Sequence, residues 1–432
     1  MDLLYLSAVV LFVLFLLLGS GVWVGLSLMG VAWVILLLFT DAPAGDAMIT
    51  VMWSGASSWT LIALPMFIWM GEILYRTRLS EDLFRGLSPW LTRMPGGLLH
   101  TNIVGSTIFA AISGSSAATL TTVGRMSIPE LQKRGYPDSM IYGTLAGSAT
   151  LGLMIPPSLT LIVYGVTINE SITQLFMAGL FPGICLAMLF MGYVALWGRQ
   201  RITPADSHEH DWTFARKLRN SAFLMPIAGL ILVVIGSMYS GFATATEAAA
   251  LGVVGALILA AAQGSLSSRT FMDSLLGAVR TSAMIALILM GASFLSLAMG
   301  YTGLPLAVAN WISSLGLTPV TLLAVLTVFY IVIGMFLDGI SSVVLTMAVI
   351  EPLVRSSGID VIWFGIFIVV LVEMAQITPP IGFNLFVLQG ITNRPIGYLA
   401  RAAFPMFLMM LLMIGVLVAF PSLALWLPQT MR

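Results

Sequence analysis

Charge is scarce in this chain. Of 432 residues only 8% are Asp, Glu, Lys or Arg, balanced at 18 basic and 18 acidic so that the formal net charge is zero, whereas a soluble domain carries roughly a quarter. No basic or acidic block offers a footprint for nucleic acid or for a strongly charged partner. The single cysteine, Cys185, excludes an internal disulfide. Histidine is nearly absent, and His100, His208 and His210 do not form a ligand set, the last two lying together in a polar segment. Lysine occurs only as Lys133 in "LQKRG" and Lys217 in "ARKLR", neither inside a G-x-x-x-x-G-K-[ST] loop, so the chain cannot hydrolyse ATP by itself. H-E-x-x-H and G-x-S-x-G are missing too, which removes the common metalloprotease and serine-hydrolase signatures. The first basic residue is Arg76, so the N-terminus lacks the basic region of a cleaved signal peptide and is expected to be a retained transmembrane helix.

What the chain has in abundance is apolar surface. Hydrophobic residues make up 59% and mean hydropathy is +1.03. Apolar spans fall at 3–18, 21–39, 50–75, 138–166, 171–198, 221–239, 242–262, 281–300, 360–390 and 397–422, near the ~20 residues that a ~30 Å hydrocarbon core requires. Runs such as "LYLSAVVLFVLFLLLG" lack the two-residue alternation of a barrel strand, and only helices or closed barrels satisfy the backbone in lipid. The fold class expected is therefore an all-α polytopic membrane protein. Two further segments, 96–131 and 318–355, are apolar but interrupted by "SGSS" (113–116) and "DGISS" (338–342). Paired short arms with a Gly/Ser tip describe a re-entrant helical hairpin.

Arg and Lys gather in 76–93, 125–134, 199–219, 269–280 and around Arg394. The positive-inside rule makes those segments cytoplasmic, which puts both termini outside and brings the two hairpins in from opposite faces. Sliding the chain by 223 residues superposes Pro129 on Pro352, Gly135 on Gly358, Pro156 on Pro379 and Pro157 on Pro380. The Gly/Ser tips then match if the second arm of the second hairpin is three residues shorter. Each half reads as hairpin, short loop, broken helix, and two halves of opposite orientation make an inverted-topology repeat, as in many secondary transporters. The organisation expected is a scaffold with an interfacial arm (1–95), a first transport half (96–198), a cytoplasmic connector (199–220), second-half scaffold helices (221–317), a second transport half (318–390) and a C-terminal helix (391–432). "SEDLFRGLSPWLTR" and "SSRTFMDSLLGAVR" mix basic and apolar residues and are expected along the membrane interface.

The broken helices carry the chemistry. "GLMIPPSLTLIV" and "QITPPIGFNLFV" each place two prolines inside an apolar run, and each pair removes backbone donors and unwinds a turn. Carbonyls of Leu153, Met154, Gln376 and Ile377 are expected to be freed near mid-membrane, and new half-helices start with exposed N–H groups that favour anions. Beside them stand the hairpin tips, with hydroxyls from Ser113, Ser115, Ser116, Ser341 and Ser342 and close backbone approach at Gly114 and Gly339, giving two similar clusters. Neutral oxygens without imidazole or thiolate suit a hard cation such as Na⁺ rather than zinc or copper. Asp338 is the one acid within a tip, and Glu373 stands in the helix leading to the second break, as a proton carrier or a neutral hydrogen-bonding strut. Plainer readings compete: prolines kink many membrane helices, Ser and Thr serve as interhelical glue, Glu72 has Arg76 four residues on, and Glu247 can pair near a helix end.

The runs "ISGSSAATLTTVGRMSIPELQKRGYPDSMIYGTLAGSATLGLMIPPSLTLIVYG" and "FLDGISSVVLTMAVIEPLVRSSGIDVIWFGIFIVVLVEMAQITPPIGFNLFVLQG" resemble the large membrane subunit, DctM-like, of tripartite ATP-independent periplasmic (TRAP) transporters. The resemblance implies an inner-membrane permease working with a separate small subunit of about four helices and an extracytoplasmic solute-binding protein. It also implies Na⁺-coupled symport of an organic acid, usually a carboxylate, by an elevator movement of 96–166 and 318–390. Carried onto this sequence, Na⁺ would lie near Ser113, Gly114, Met154, Pro156, Asp338, Gly339, Ser341, Gln376 and Thr378, and the substrate near Ser115, Ser116, Thr119, Pro157, Ser158, Ser342, Pro380 and Asn384. Kinship of fold alone also admits a Na⁺/divalent-anion symporter that needs no binding protein. An intramembrane enzyme would need a convergent acid/base set where only isolated acids are visible, and hairpins from both faces close a site rather than line a channel.

Overall fold

The structure, a computed structural model, describes residues 3–200 and 213–430, all helices and connections without a strand among the described residues. The N-terminal helices are α1 (Leu3–Gly19), α2 (Val24–Phe39), α3 (Ala44–Ala56), α4 (Ala63–Tyr75) and the amphipathic α5 (Leu79–Leu91). The single span expected over 50–75 is broken: α3 and the stretch Trp59–Tyr75 meet at 58°. Pro65 sits in the first turn of α4, where its missing N–H costs nothing. That proline starts a helix rather than interrupting one.

Next come α6 (Leu99–Ser113), α7 (Ser116–Lys133), α8 (Asp138–Ala149), a 3₁₀ turn over Thr150–Leu153, α9 (Leu159–Ile168) and α10 (Ile172–Gln200). After the connector, of which residues 201–212 with His208 and His210 lie outside the described residues, come α11 (Phe214–Ser221), α12 (Met225–Tyr239), α13 (Ala245–Ala262), α14 (Ser268–Thr302) and α15 (Leu304–Ser314). Among the described residues Glu247 pairs with no cation; it closes a capping box with Thr244 at the start of α13. Glu72 does pair with Arg76. The segment "SSRTFMDSLLGAVR", expected as a separate interfacial piece, is the beginning of α14. Ser267 caps that helix through the Thr270 N–H at 3.0 Å, no proline interrupts its 35 residues, and at 1.5 Å per residue it runs about 52 Å.

The chain continues with α16 (Pro319–Gly334), α17 (Gly339–Ser356), α18 (Val361–Gln376) and α19 (Phe383–Thr392), followed by α20 (Ile396–Ala419) and α21 (Ser422–Thr430). Six described helices are long and apolar enough to cross a membrane, seven if the bent α3–α4 pair counts as one span. The expected spans 138–166 and 360–390 are each two shorter helices flanking a Pro-Pro break.

The starts of the second hairpin arms and of the helices that follow keep the 223-residue register without a gap. α7 begins at Ser116 and α17 at Gly339, both 18 residues long, and α8 begins at Asp138 and α18 at Val361. The three-residue shortening expected in the second hairpin is absent, because the equivalent tip positions are Ser115 and Asp338, which both cap the following helix, rather than the two serine strings. Gly135 and Gly358 both take positive φ, at 79° and 71°. At the second break one residue enters, since α9 starts at Leu159 and α19 at Phe383; both half-helices then end on a left-handed asparagine, Asn169 and Asn393.

The packing is reciprocal. α6 and α7 lie against α8 as α16 and α17 lie against α18, while α7 also covers α19 and α17 covers α9. Such an exchange is what a two-fold relation between halves produces. Every residue from Ile362 to Gln376 of α18 is buried, as is every residue from Met140 to Ala149 of α8. Helices apolar all round belong in the middle of a bundle. The core therefore lies around the two broken helices, while α1, α2, α12 and α13 expose apolar side chains such as Phe12, Leu37, Leu232 and Ile258 at the surface.

Candidate ion and substrate site

At the first tip, α6 stops because Gly114 turns left-handed (φ 59°), a conformation open to glycine at little cost. A Cβ there would stand 2.6 Å from the Pro157 carbonyl oxygen, so the tip touches the first break through bare backbone. The Leu159 N–H reaches the Gly114 carbonyl at 3.4 Å. The Ser115 hydroxyl accepts from the Ala118 N–H at 3.4 Å and caps α7. Ser113 and Thr119 share a hydrogen bond of 3.0 Å, and the Thr119 hydroxyl donates to the Ser115 carbonyl at 2.8 Å.

The first break is buried throughout from Leu151 to Thr160. Its peptide Pro156–Pro157 is cis, as is Pro379–Pro380 in the second. Ser158 caps α9 by accepting from the Leu161 N–H at 3.2 Å, and its hydroxyl donates to the Leu153 carbonyl. Leu153, expected to offer a free carbonyl, is thus satisfied locally. The Met154 carbonyl instead faces α10, 2.7 Å from where a Cβ on Gly179 would be.

The second tip starts differently. Asp338 is half-buried, and its Oδ2 accepts from the N–H groups of Ile340 and Ser341 at 3.2 and 3.3 Å, so the carboxylate caps α17 and favours the positive end of that helix. The hydroxyls of Ser341 and Ser342 are buried without hydrogen-bond partners among the described residues, and so are the nitrogen and oxygen of the Asn384 amide at the start of α19. In the second break the Thr378 hydroxyl donates to the Met374 carbonyl at 2.7 Å. Pro379, Pro380 and Ile381 are exposed, in contrast to the sealed first break.

Gln376 joins these parts. Its Oε1 accepts from the Ser116 hydroxyl at 2.7 Å, and its Nε2 lies 2.9 Å from where a Cβ on Gly339 would be. Leu153 also approaches Gly339. The two clusters expected from sequence are joined at one buried amide, which links Ser116 of the first tip to the surroundings of Gly339 in the second, while the first break reaches Gly339 through the apolar Leu153 side chain. Gly152 was not anticipated: a Cβ there would stand 2.8 Å from the Ser115 backbone. A signal for it existed, because the 223-residue shift pairs Gly152 with Ala375, the small residue that receives the second hairpin at Gly334. Thr160 was likewise missed, a buried hydroxyl without a partner. Glu373 is fully buried, and neither carboxylate oxygen has a hydrogen-bond partner among the described residues.

Unpaired buried hydroxyls and amides are costly unless something binds them, and neutral oxygens of this kind fit a hard monovalent cation. The start of α19 follows the exposed second break, where the positive end of a helix favours an anion, whereas at the start of α9 the Leu159 and Leu161 N–H groups are already taken by Gly114 and Ser158.

Comparison with known proteins agrees with this architecture. The family described as "Tripartite ATP-independent periplasmic transporter, DctM component" matches residues 9–423. The C4-dicarboxylate TRAP transporter large permease protein DctM of Rhodobacter capsulatus is 31% identical over 444 residues, covering 98% of this chain and 99% of that protein. The sialic acid TRAP transporter large permease protein SiaM of Vibrio cholerae is 29% identical, with 96% of each covered. The isethionate TRAP transporter permease protein DctMQ of Oleidesulfovibrio alaskensis is 30% identical over 96% of this chain, which spans only 65% of that longer protein. Among solved structures, the YdaH transporter of Alcanivorax borkumensis shares the fold, with a TM-score of 0.65 at 14% identity, covering 89% of this chain and 90% of that one. Because the family match runs unbroken through both hairpins and both Pro-Pro breaks, the chain belongs to the DctM component family of tripartite ATP-independent periplasmic transporters and is a multi-pass protein of the bacterial inner membrane.

Proposed function

We propose that this chain is the large permease subunit of a Na⁺-coupled TRAP transporter that imports an organic acid, loaded by an extracytoplasmic binding protein and assisted by a separate small subunit of four helices. The observation that carries the reading is the junction at Gln376, where the amide that ends α18 accepts from Ser116 of the first hairpin and lies against Gly339 of the second. Relatives are named for C4-dicarboxylate, sialic acid, isethionate and ectoine, compounds that all bear an acid group. In this reading the oxygens of Ser341, Ser342 and the Thr378 region hold Na⁺ with Asp338. The acid group of the substrate takes Asn384 and the start of α19, beside the exposed Pro380. Transport follows when the two hairpins and broken helices move together as an elevator against α2, α4, α13 and α14.

The experiment is reconstitution into liposomes. Uptake of a radiolabelled acid is expected only with the small subunit, the loaded binding protein and an inward Na⁺ gradient all present. Robust uptake by this chain alone would favour a Na⁺/divalent-anion symporter that needs no binding protein.

A further inference from the structure

α5 and α11 form a corner outside the transport site. Trp90 of α5 donates through its indole N–H to the Ser221 hydroxyl at 2.8 Å and packs edge-on against Phe214 at 6.3 Å. The Lys217 ammonium lies 5.4 Å from the centre of the Trp90 ring, and the Arg85 guanidinium lies 5.4 Å from that of Phe223. Both cations are thus held in place by aromatic faces. Among the described residues none of Arg85, Arg216, Lys217 and Arg219 is in an ion pair. α11 contains no acid, and of the acids in the first turn of α5, Glu81 and Asp82, Asp82 lies within electrostatic reach of Arg85. The apolar side chains of the corner are not withdrawn from the surface: Phe214 is 71% exposed and Leu218 60%.

Depth along the helix says what lies outside. α11, a short 3₁₀ turn and α12 form one span from Phe214 to Tyr239. The uncharged part, from Ala222 to Tyr239, rises about 27 Å, close to the hydrocarbon thickness. Arg216, Lys217 and Arg219 therefore emerge within the first turn or two beyond the hydrocarbon, at phosphate level, with Phe214 and Leu218 beside them.

We propose that this corner is a binding site for the headgroup of an acidic phospholipid, with the phosphate taken by Arg85, Arg216, Lys217 and Arg219 and the acyl chains lying along Phe214, Leu218 and Trp90. A polybasic cluster beside a membrane helix attracts anionic lipid, and exposed aromatic and aliphatic groups at the same depth supply the apolar half of the contact. The site does not depend on the substrate or on the coupling ion.

The full-length protein is reconstituted in vesicles of one fixed mixture of phosphatidylglycerol and phosphatidylcholine. Bromine is carried on the acyl chains of either the first or the second lipid, and the signal of Trp90 is taken as the difference between wild type and Trp90→Phe. Brominated phosphatidylglycerol is expected to quench that signal about twofold more per mole than brominated phosphatidylcholine. Parity is expected in the combined Arg85→Gln, Arg216→Gln, Lys217→Gln, Arg219→Gln variant. In wild type the preference should fade as KCl rises from about 0.05 to 0.5 M, a test that needs no altered protein. Equal quenching by both lipids in wild type at low salt overturns the proposal, leaving ordinary immersion of an aromatic ring. No quenching by either also overturns it and assigns the corner to a protein partner.

Discussion

Gln376 is the side chain on which the two hairpins meet, and its hydrogen bond to Ser116 links residues far apart in sequence. Removing either partner strands the other in a buried setting. Ser116→Ala and Gln376→Leu should each lower the thermal midpoint in detergent, and the pair together should cost less than the sum of the singles by about 1 kcal/mol, the usual size of such bonds in membranes. Additive losses would mean that the bond couples nothing. At Asp338 two roles coincide, helix cap and charge. Asn caps as well as Asp, whereas Ala forfeits about 0.5–2 kcal/mol. Asp338→Asn should therefore keep its melting temperature while needing more Na⁺ for half-maximal uptake, each tenfold loss of affinity being about 1.4 kcal/mol. Asp338→Ala should lose stability as well. A titration unmoved in a stable Asn variant would reduce Asp338 to a cap.

At the scale of elements, the sequence was legible where a local signal sufficed and opaque where distant contacts decide. Pro156, Pro157, Pro379 and Pro380 announce their breaks because a proline's missing donor acts within one turn. Gly135 and Gly358 mark left-handed turns for an equally local reason. The serine strings misled the tip alignment, since capping depends on one position and not on composition. The bend before α4 and the unbroken length of α14 were also misjudged: "SSRTFMDSLLGAVR" has a surface composition because it projects beyond the apolar stretch, although Trp69 holds it against α4 through Ser274 at 3.2 Å and Phe271. That one amide would link the two tips depends on how α18 sits between the hairpins, which no periodicity reveals. Whether the halves are inverted across the bilayer is open to direct measurement. With Cys185 replaced, cysteines introduced as Ser207→Cys, in the connector outside the described residues, and Ser357→Cys, at the end of α17, should react with impermeant maleimide from opposite sides. Reaction of both from one side would exclude opposite insertion.

Over the whole molecule, cohesion comes from packing rather than ion pairs. Arg355 with Glu170 at 3.2 Å and Arg394 with Asp138 at 2.8 Å tie one half to the other at the rims, yet their arginines are about half exposed, and such pairs contribute ~0–1 kcal/mol. The exchange of partners, α7 on α19 and α17 on α9, matters more, and it bears on how the protein is made. When α7 and α9 leave the ribosome, the helices that cover them have not been translated. At roughly 5–20 residues per second the wait for α19 is on the order of ten seconds or more. The nascent first half must meanwhile shelter its uncovered faces in lipid or against the insertion machinery. Separate synthesis should therefore be tolerated if both pieces are present together. Genes encoding the halves on either side of residues 201–212 should each yield a short-lived product when expressed singly and a stable, co-purifying pair when expressed jointly, as read by pulse-chase labelling. A first half that persisted alone would mean that its faces close on themselves, and that the late arrival of α19 sets no deadline for quality control.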